Sequence, residues 1–180
     1  MEITRKNAVL LLEEYVKSDS LKKHCFAVEA AMRSYAKKFN QDQEIWGVCG
    51  LLHDFDYEKY PSEHPFAGAE ILKNKDYPDY FIKAILGHAL YSNVPRDSIM
   101  AKCLFASDEL CGFVVACSLV RPEGFFGMEP KSVKKKLKIK SFAAQINREE
   151  IKQGISEIGA EENEHIAFLI NALSKWAENF

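Results

Sequence analysis

Two histidines and an aspartate with metal-binding chemistry lie within one short segment, residues 51–65, which reads LLHDFDYEKYPSEHP. His53 is followed directly by Asp54, and His64 comes shortly after them, although the whole chain has only five histidines. An imidazole nitrogen is a good ligand for divalent transition metals, and a carboxylate adds negative charge and can bridge two ions. The segment therefore indicates either a metal site or a chance grouping on a solvated loop.

Three further polar residues stand in segments that are otherwise apolar. His24 lies near the start of LKKHCFAVEAAM, His88 closes FIKAILGHAL, and Asp108 lies inside the apolar run of residues 99–120. A carboxylate in a buried helix is destabilising unless it is hydrogen-bonded, paired with a cation or bound to a metal. Lys102 is placed to point elsewhere, so Asp108 needs a different basic partner or an ion. We expect these three residues to converge with the three of the first segment.

The segments that carry these residues are helical by their periodicity. Apolar residues recur three and four positions apart, and two-residue alternation is nearly absent. The periodic segments are residues 9–16, 21–39, 45–52, 66–72, 81–90, 99–119 and 166–176. Turn and cap compositions such as KSDS, FNQD, KDYPD, SNVPRD and RPEGFFGMEP separate them. The pattern predicts an all-α fold of roughly seven to ten helices, with residues 99–120 as the central buried helix.

Length and composition predict one compact domain over residues 1–180. A chain of 180 residues that is 47% hydrophobic is long enough for one core and short for two. The segment RPEGFFGMEP is the most linker-like, but about 50 residues after it would make a poor separate domain. We therefore expect a metal-site core over about residues 20–120 and a C-terminal helical extension of the same core over about residues 131–180.

Charge and cysteine content restrict the partners and the compartment. A formal net charge of -2 gives no broad electrostatic reason to bind nucleic acid or an anionic membrane. The N-terminal segment MEITRKNAVLLLEEYVK has too short an apolar stretch for a signal peptide and predicts an amphipathic helix of a cytoplasmic protein. The cysteines are odd in number and form no CxxC pair, which predicts reduced core residues: Cys25, Cys49, Cys103, Cys111 and Cys117.

The order of the candidate residues resembles that of the HD-domain superfamily of metal-dependent phosphohydrolases. The resemblance rests on a histidine in an early helix, the adjacent HD pair, HPFAGAEIL, ILGHA and ASDEL, in that order. The downstream segments SLVRPEG, KSVKKKLKIKSFAA and NREEIKQGISEIG also resemble a small bacterial branch of that superfamily. The similarity covers most of the chain and implies a compact, all-α HD-type helical bundle.

The resemblance implies a role for each matched residue. Four residues match the positions that hold one metal ion in HD domains, namely His24, His53, Asp54 and Asp108. His64 and His88 match positions that hold a second ion in two-metal members, with Asp54 as the bridge. The sequence HDFDY stands where better-known members have HDIGK, which argues against a cyclic dinucleotide substrate. The tandem histidines of one two-metal subgroup are absent as well, so the second ion is less firmly implied than the first.

The implied activity is hydrolysis of a phosphomonoester or phosphodiester of a nucleotide or other small metabolite. A divalent ion, whether manganese, iron, nickel, cobalt, zinc or magnesium, would activate water for attack on phosphorus. Asp54 and His53 are the implied catalytic residues, and either Asp54 or Asp56 is a candidate to accept the proton of the water. The alternative is a regulatory protein that binds metal and senses a nucleotide without turnover.

Several other polar residues have a structural and a functional interpretation. Asp56 and Glu58 are interpreted as loop carboxylates, with lining of the cleft as the alternative, and His165 as helix surface or local structure. Arg121 either caps backbone carbonyls or reaches the cleft. The lysines of KSVKKKLKIKSFAA are favoured as a solvated helix face, because Val133 and Leu137 supply its buried side. The alternative is a phosphate-attracting rim, and nucleic acid binding is disfavoured since no aromatic residues are interleaved.

Overall fold

All regular structure in the part of the chain that the computed structural model describes, residues 2–177, is helical. Its helices are α1 (Arg5–Tyr15), α2 (Asp19–Lys38), α3 (Gln43–Leu52), α4 (Phe66–Asn74), α5 (Asp79–His88), α6 (Ile99–Leu119), α7 (Pro130–Leu137), α8 (Arg148–Glu157) and α9 (Glu162–Ser174). One 3-10 turn, Leu90–Ser92, lies between α5 and α6. The prediction of an all-α fold is confirmed. The outermost positions of the predicted domain, residues 1 and 178–180, lie outside the described residues.

Side-chain caps start the helices at the breaks that the sequence indicates. Ser18, in the segment KSDS, accepts a hydrogen bond from the backbone N–H of Leu21 and caps α2. Asp42, in FNQD, accepts from two backbone N–H groups in the first turn of α3. Ser98 caps α6 through the N–H of Ala101. Each cap satisfies amide groups that have no partner inside their own helix, so these short polar segments set the helix starts.

Helix α6 lies at the centre of the fold. It packs against α2, α3, α5, α7, α8 and α9, and its side chains Leu104, Leu110 and Phe113 are fully buried. The expectation of a central buried helix is therefore confirmed. Among residues 2–177, none of the helices combines the length and the apolar character needed to cross a membrane.

The helices after the loop at residues 120–129 join the same hydrophobic core as the helices before it. Val133, Ile151 and Leu169, from α7, α8 and α9, belong to one core cluster with residues of α2 and α6. The segment RPEGFFGMEP thus connects elements that share a core. The interpretation of the whole chain as one domain stays a prediction.

His165 on α9 is buried, so the helix-surface interpretation of this residue does not hold. Its ring nitrogens face the hydroxyl group of Tyr35 and the backbone carbonyl of Ala106, and the Ala106 contact is 2.9 Å. Burial lowers the pKa of His165, which keeps the imidazole neutral near pH 7. This histidine is a satisfied core residue that ties α9 to α2 and α6.

Helices α2 and α3 approach each other closely at Gly50. A Cβ atom on Gly50 would lie 2.7 Å from the backbone oxygen of Val28 and 3.0 Å from the backbone nitrogen of Glu29. These are backbone atoms of α2, so no side-chain rotation can relieve the contact. A residue without a side chain is needed at this position for the two helices to pack as they do.

We expect Gly50→Ala to lower the free energy of unfolding by about 1–3 kcal/mol, because the added methyl group must push α3 away from α2. Urea denaturation followed by circular dichroism measures this change. Gly87→Ala in α5 is the matched control: its Cβ would lie 3.1 Å from the side-chain Cγ of Arg96, and the nearest backbone atom outside its helix, the oxygen of Val94, would be at an ordinary contact distance of 3.7 Å. Equal denaturation midpoints for the two variants would show that the close approach at Gly50 is not required.

Candidate metal centre

The six candidate residues come from five parts of the fold and meet in one cleft. His24 lies in the first half of α2, and His53 and Asp54 follow the last residue of α3. His64 lies in the turns before α4, His88 is the last residue of α5, and Asp108 lies in the middle of α6. They form two groups of donor atoms, and within each group the atoms lie no more than 4.8 Å apart. The expected convergence is therefore present in the structure.

The first group consists of His24, His53, Asp54 and Asp108. The Nε2 atoms of His24 and His53 are 3.1 Å apart, and Oδ1 of Asp108 lies 3.0 and 3.3 Å from them. Oδ2 of Asp54 lies 3.7 Å from Nε2 of His24 and 3.4 Å from Nε2 of His53. The partners of the buried-helix carboxylate Asp108 are thus two imidazoles rather than a lysine.

The second group consists of Asp54, His64 and His88. Oδ1 of Asp54 lies 3.3 Å from Nε2 of His64 and 3.2 Å from Nε2 of His88, and the two nitrogens are 3.3 Å apart. Asp54 therefore presents one carboxylate oxygen to each group. This is the arrangement of a carboxylate that can bridge two ions.

Three of the four histidines of the cleft have buried rings, and each turns its Nε2 atom into the cleft because its Nδ1 is held from behind. Nδ1 of His53 donates to the carbonyl of Gly50, and Nδ1 of His88 donates to the carbonyl of Ile85. Nδ1 of His64 donates to the carboxylate of Asp56 at 2.7 Å. A carbonyl or carboxylate oxygen only accepts, so Nδ1 carries the hydrogen and Nε2 of the neutral ring is a bare lone pair.

A metal ion fits both groups by spacing and by the chemistry of their donors. Ligand bonds of about 2.0–2.2 Å place neighbouring donor atoms about 3.0–3.5 Å apart, which is close to the distances found here. In the second group, the Nε2 atoms of two imidazoles and a carboxylate oxygen face one point, and with neutral rings none of the three atoms is a hydrogen-bond donor. A bound cation, or protons in its place, satisfies such a set of acceptors.

Charges within the cleft shift the pKa values of its members strongly. Burial by itself would lower the pKa of His53 and raise that of Asp54. The carboxylates of Asp54 and Asp108 outweigh burial and raise the pKa of His53 well above its usual value. The imidazoles likewise hold the pKa values of Asp54 and Asp108 well below the usual range. The carboxylates therefore give the cleft a negative charge, which a cation or protons must balance.

Asp56 is a buried part of the site that the sequence interpretation placed on a loop. Its Oδ1 accepts from Nδ1 of His64, and its Oδ2 accepts from the backbone N–H of Gly68 at 2.6 Å. Both oxygens therefore accept a hydrogen bond from the protein, and through one of them Asp56 holds the His64 ring in place. The signal for this role was available in HDFDY, where Asp56 stands between two aromatic residues.

Two tyrosines and a glutamate border the cleft, and no sequence pattern singles them out. The ring of Tyr57 meets the ring of His64 edge-on, with the centroids 5.2 Å apart. The hydroxyl group of Tyr91 donates to the backbone carbonyl of His64 at 2.9 Å. Burial, together with the neighbouring Asp108, raises the pKa of Glu109 to about 7. Exposed tyrosines and a glutamate are common on helical surfaces, so only the folded arrangement identifies them.

Arg121 and the lysine-rich helix have structural contacts of their own. Nε and Nη2 of Arg121 donate to the carbonyls of Gly124 and Phe126, which is the capping interpretation. On α7, Val133 is fully buried, and Lys134 pairs with Glu162 of α9 at 2.7 Å. These contacts agree with a solvated helix face.

The comparison with known protein families agrees with this geometry. The family described as HD domain matches residues 21–112, which is more than half of the chain. The matched stretch runs from the first turn of α2 into α6 and contains all six residues of the cleft. No solved structure shows a significant match to the chain. HD domains are usually metal-dependent hydrolases, and the two donor groups could hold metal ions as that activity requires. The chain belongs to the HD domain family.

Proposed function

We propose that this protein is a divalent-metal-dependent phosphohydrolase that acts on a phosphomonoester or phosphodiester of a nucleotide or another small metabolite. The observation that carries the proposal is Asp54, whose two carboxylate oxygens each face a separate group of imidazoles. Membership of the HD domain family supports the reaction class. The substrate is proposed to be a small phosphorylated molecule rather than a nucleic acid or a membrane lipid.

In this proposal the residues of the cleft position the ions relative to the substrate. His24, His53, Asp54 and Asp108 would hold one ion, and His64 and His88 would hold a second together with Asp54. A bound divalent ion lowers the pKa of water to about 7 and withdraws charge from the phosphoryl oxygens. Asp54 would orient the attacking water by accepting its hydrogen bond, and the fully buried His53 would hold the same ion as Asp54 and so keep the carboxylate in place.

The test is a panel of phosphomonoesters and phosphodiesters, assayed with the metal-stripped protein after addition of manganese, iron(II), nickel, cobalt, zinc or magnesium. Release of phosphate or of a phosphomonoester is expected with at least one metal and is expected to disappear in Asp108→Ala. Bound metal without any hydrolysis across the panel would favour the regulatory, nucleotide-sensing alternative. Asp97→Asn, an exposed aspartate outside both donor groups, is the control.

Asp56→Asn is expected to weaken metal binding at the second group by about 10–100-fold. An amide cannot accept from both His64 and the N–H of Gly68 as the carboxylate does, so the imidazole loses its fixed orientation. Isothermal titration calorimetry with the metal-stripped protein measures the change. Glu63→Gln, an exposed carboxylate next to His64 in the chain, is the control and should bind metal as wild type does. Unchanged affinity in Asp56→Asn would remove Asp56 from the site.

Metal binding is expected to release protons near pH 7. Burial by itself would lower the pKa of His64, but hydrogen bonds to Asp54 and Asp56 raise it to about 9, so the metal-free imidazole is protonated at pH 7. The ion must displace that proton, and its apparent affinity should rise about tenfold per pH unit and per proton until pH approaches 9. Calorimetry in buffers of different protonation enthalpy counts the released protons. Binding without proton release at pH 7 would contradict this prediction.

A further inference from the structure

We propose that a hollow beside the cleft binds a flat, uncharged ring of the substrate, such as a nucleobase, and this inference rests on the proposed function. The hollow, called the ring pocket here, is an open surface depression of about 360 Å³ lined by Ser18, Ser20, Leu21, Tyr57 and Glu58. Small-molecule pockets have volumes of about 300–1,000 Å³, so its size suits one ring system. It lies between the start of α2 and the turn that follows Asp54.

The ring pocket is placed next to both donor groups. Ser20 and Leu21 lie one helical turn before His24 and on the same side of α2, since residues three and four apart are neighbours on a helix surface. On the other wall, the Tyr57 ring stands against the ring of His64. A phosphate held between the two groups at Asp54 would therefore have this hollow beside it. The organic part of the ester can therefore lie in the hollow while its phosphate is bound at Asp54.

The polar atoms at the edge of the ring pocket are already used by the protein. Oε2 of Glu58 accepts from the backbone N–H groups of Lys17 and Ser18, at 3.0 and 2.9 Å. Oγ of Ser18 caps α2 and lies 2.8 Å from Oγ of Ser20. These contacts leave the side chains of Leu21 and Tyr57 as the main surface for a ligand. The Glu58 carboxylate and the two serine hydroxyls therefore form the rim of the pocket rather than a binding site for a charged group.

The charge of the lining gives no binding partner for a further anionic group. None of the five residues that line the ring pocket is basic, and the Glu58 carboxylate already offsets the positive N-terminal end of α2 by accepting from the N–H of Ser18. A second phosphate would find no basic side chain among these residues, whereas an uncharged ring needs none. Tyr57 is 51% exposed although its ring meets the ring of His64 edge-on, so the residue keeps surface that is accessible for stacking. An aromatic group bound to the phosphate through a short spacer matches both properties.

The first experiment compares nucleoside 5′-monophosphates with ribose 5-phosphate, which has the same phosphate and pentose but no base. We expect wild-type kcat/KM to be at least about tenfold higher for the best nucleotide, and we expect Tyr57→Leu to narrow that ratio to about threefold or less. Tyr57→Phe keeps the ring and should keep the preference. The ratio is taken within each variant, so a change in metal loading cancels.

Tyr80→Leu is the matched control, because Tyr80 is also 51% exposed but lies on α5 and outside the ring pocket. It should keep the wild-type ratio. A Tyr57→Leu ratio equal to that of wild type would overturn the proposal, as would a wild type that hydrolyses ribose 5-phosphate as efficiently as every nucleotide.

A second measurement does not depend on turnover. Adenosine, guanosine, cytidine and uridine are titrated into the metal-stripped protein, and we expect at least one to bind about fivefold more weakly to Tyr57→Leu than to wild type, Tyr57→Phe and Tyr80→Leu. Nucleoside binding through Tyr57 without hydrolysis of any ester would keep the ring pocket and refute the phosphohydrolase. Hydrolysis without a base preference and without nucleoside binding would keep the phosphohydrolase and refute the ring pocket.

Discussion

Asp54→Asn should strip the protein of bound metal and reduce hydrolysis by about 10³-fold or more, because one carboxylate serves both groups of donor atoms. Oδ2 of Asp54 faces His24 and His53, while Oδ1 faces His64 and His88. An amide has a similar shape but no negative charge, and its NH2 group would turn a donor toward one of the two groups. Elemental analysis and the phosphatase assay measure the two effects.

Asp97→Asn makes the same chemical change on the protein surface and should keep both metal content and activity. Circular dichroism establishes whether Asp54→Asn remains folded, so loss of metal can be separated from unfolding. Wild type and Asp54→Asn that contain equal, negligible metal even after reconstitution would refute a metal centre at this cleft.

His64→Ala and His88→Ala should each lower the metal-to-protein ratio by about one ion and reduce kcat by about 10²-fold. Both imidazoles present Nε2 to the same oxygen of Asp54, at 3.3 and 3.2 Å. His24→Ala is the reciprocal variant and should empty the first group instead. Metal analysis after dialysis, together with steady-state kinetics, resolves the three variants.

A different outcome would assign His64 and His88 to the substrate. If they contact its phosphate as donors or cations, metal content should stay at the wild-type value while KM rises. A wild-type protein that saturates at one ion per chain with full activity would exclude the two-metal arrangement. The carbonyl behind His88 and the carboxylate behind His64 favour the metal role, because both orient Nε2 as a lone pair.

The helical class and the identity of the cleft residues were predictable from the sequence. Apolar periodicity and cap residues are local properties, and they indicate helices wherever the buried side repeats at the helical period. Polar residues such as His88 and Asp108 stand out because they interrupt apolar segments that must be buried. Their order along the chain then matched the pattern of the HD domain, and the family comparison confirms that assignment.

Only the tertiary structure decided which partner each donor and acceptor atom of the cleft contacts. Which oxygen of Asp54 faces which histidines, and the tie between Asp56 and His64, depend on how the α3 end and the following turns are held against α2, α5 and α6. The same packing buries His165 and turns Arg121 to loop carbonyls. Residue type and spacing specify which side chains can bind, but side-chain direction is set by contacts between residues far apart in the chain, and a single helix does not contain that information.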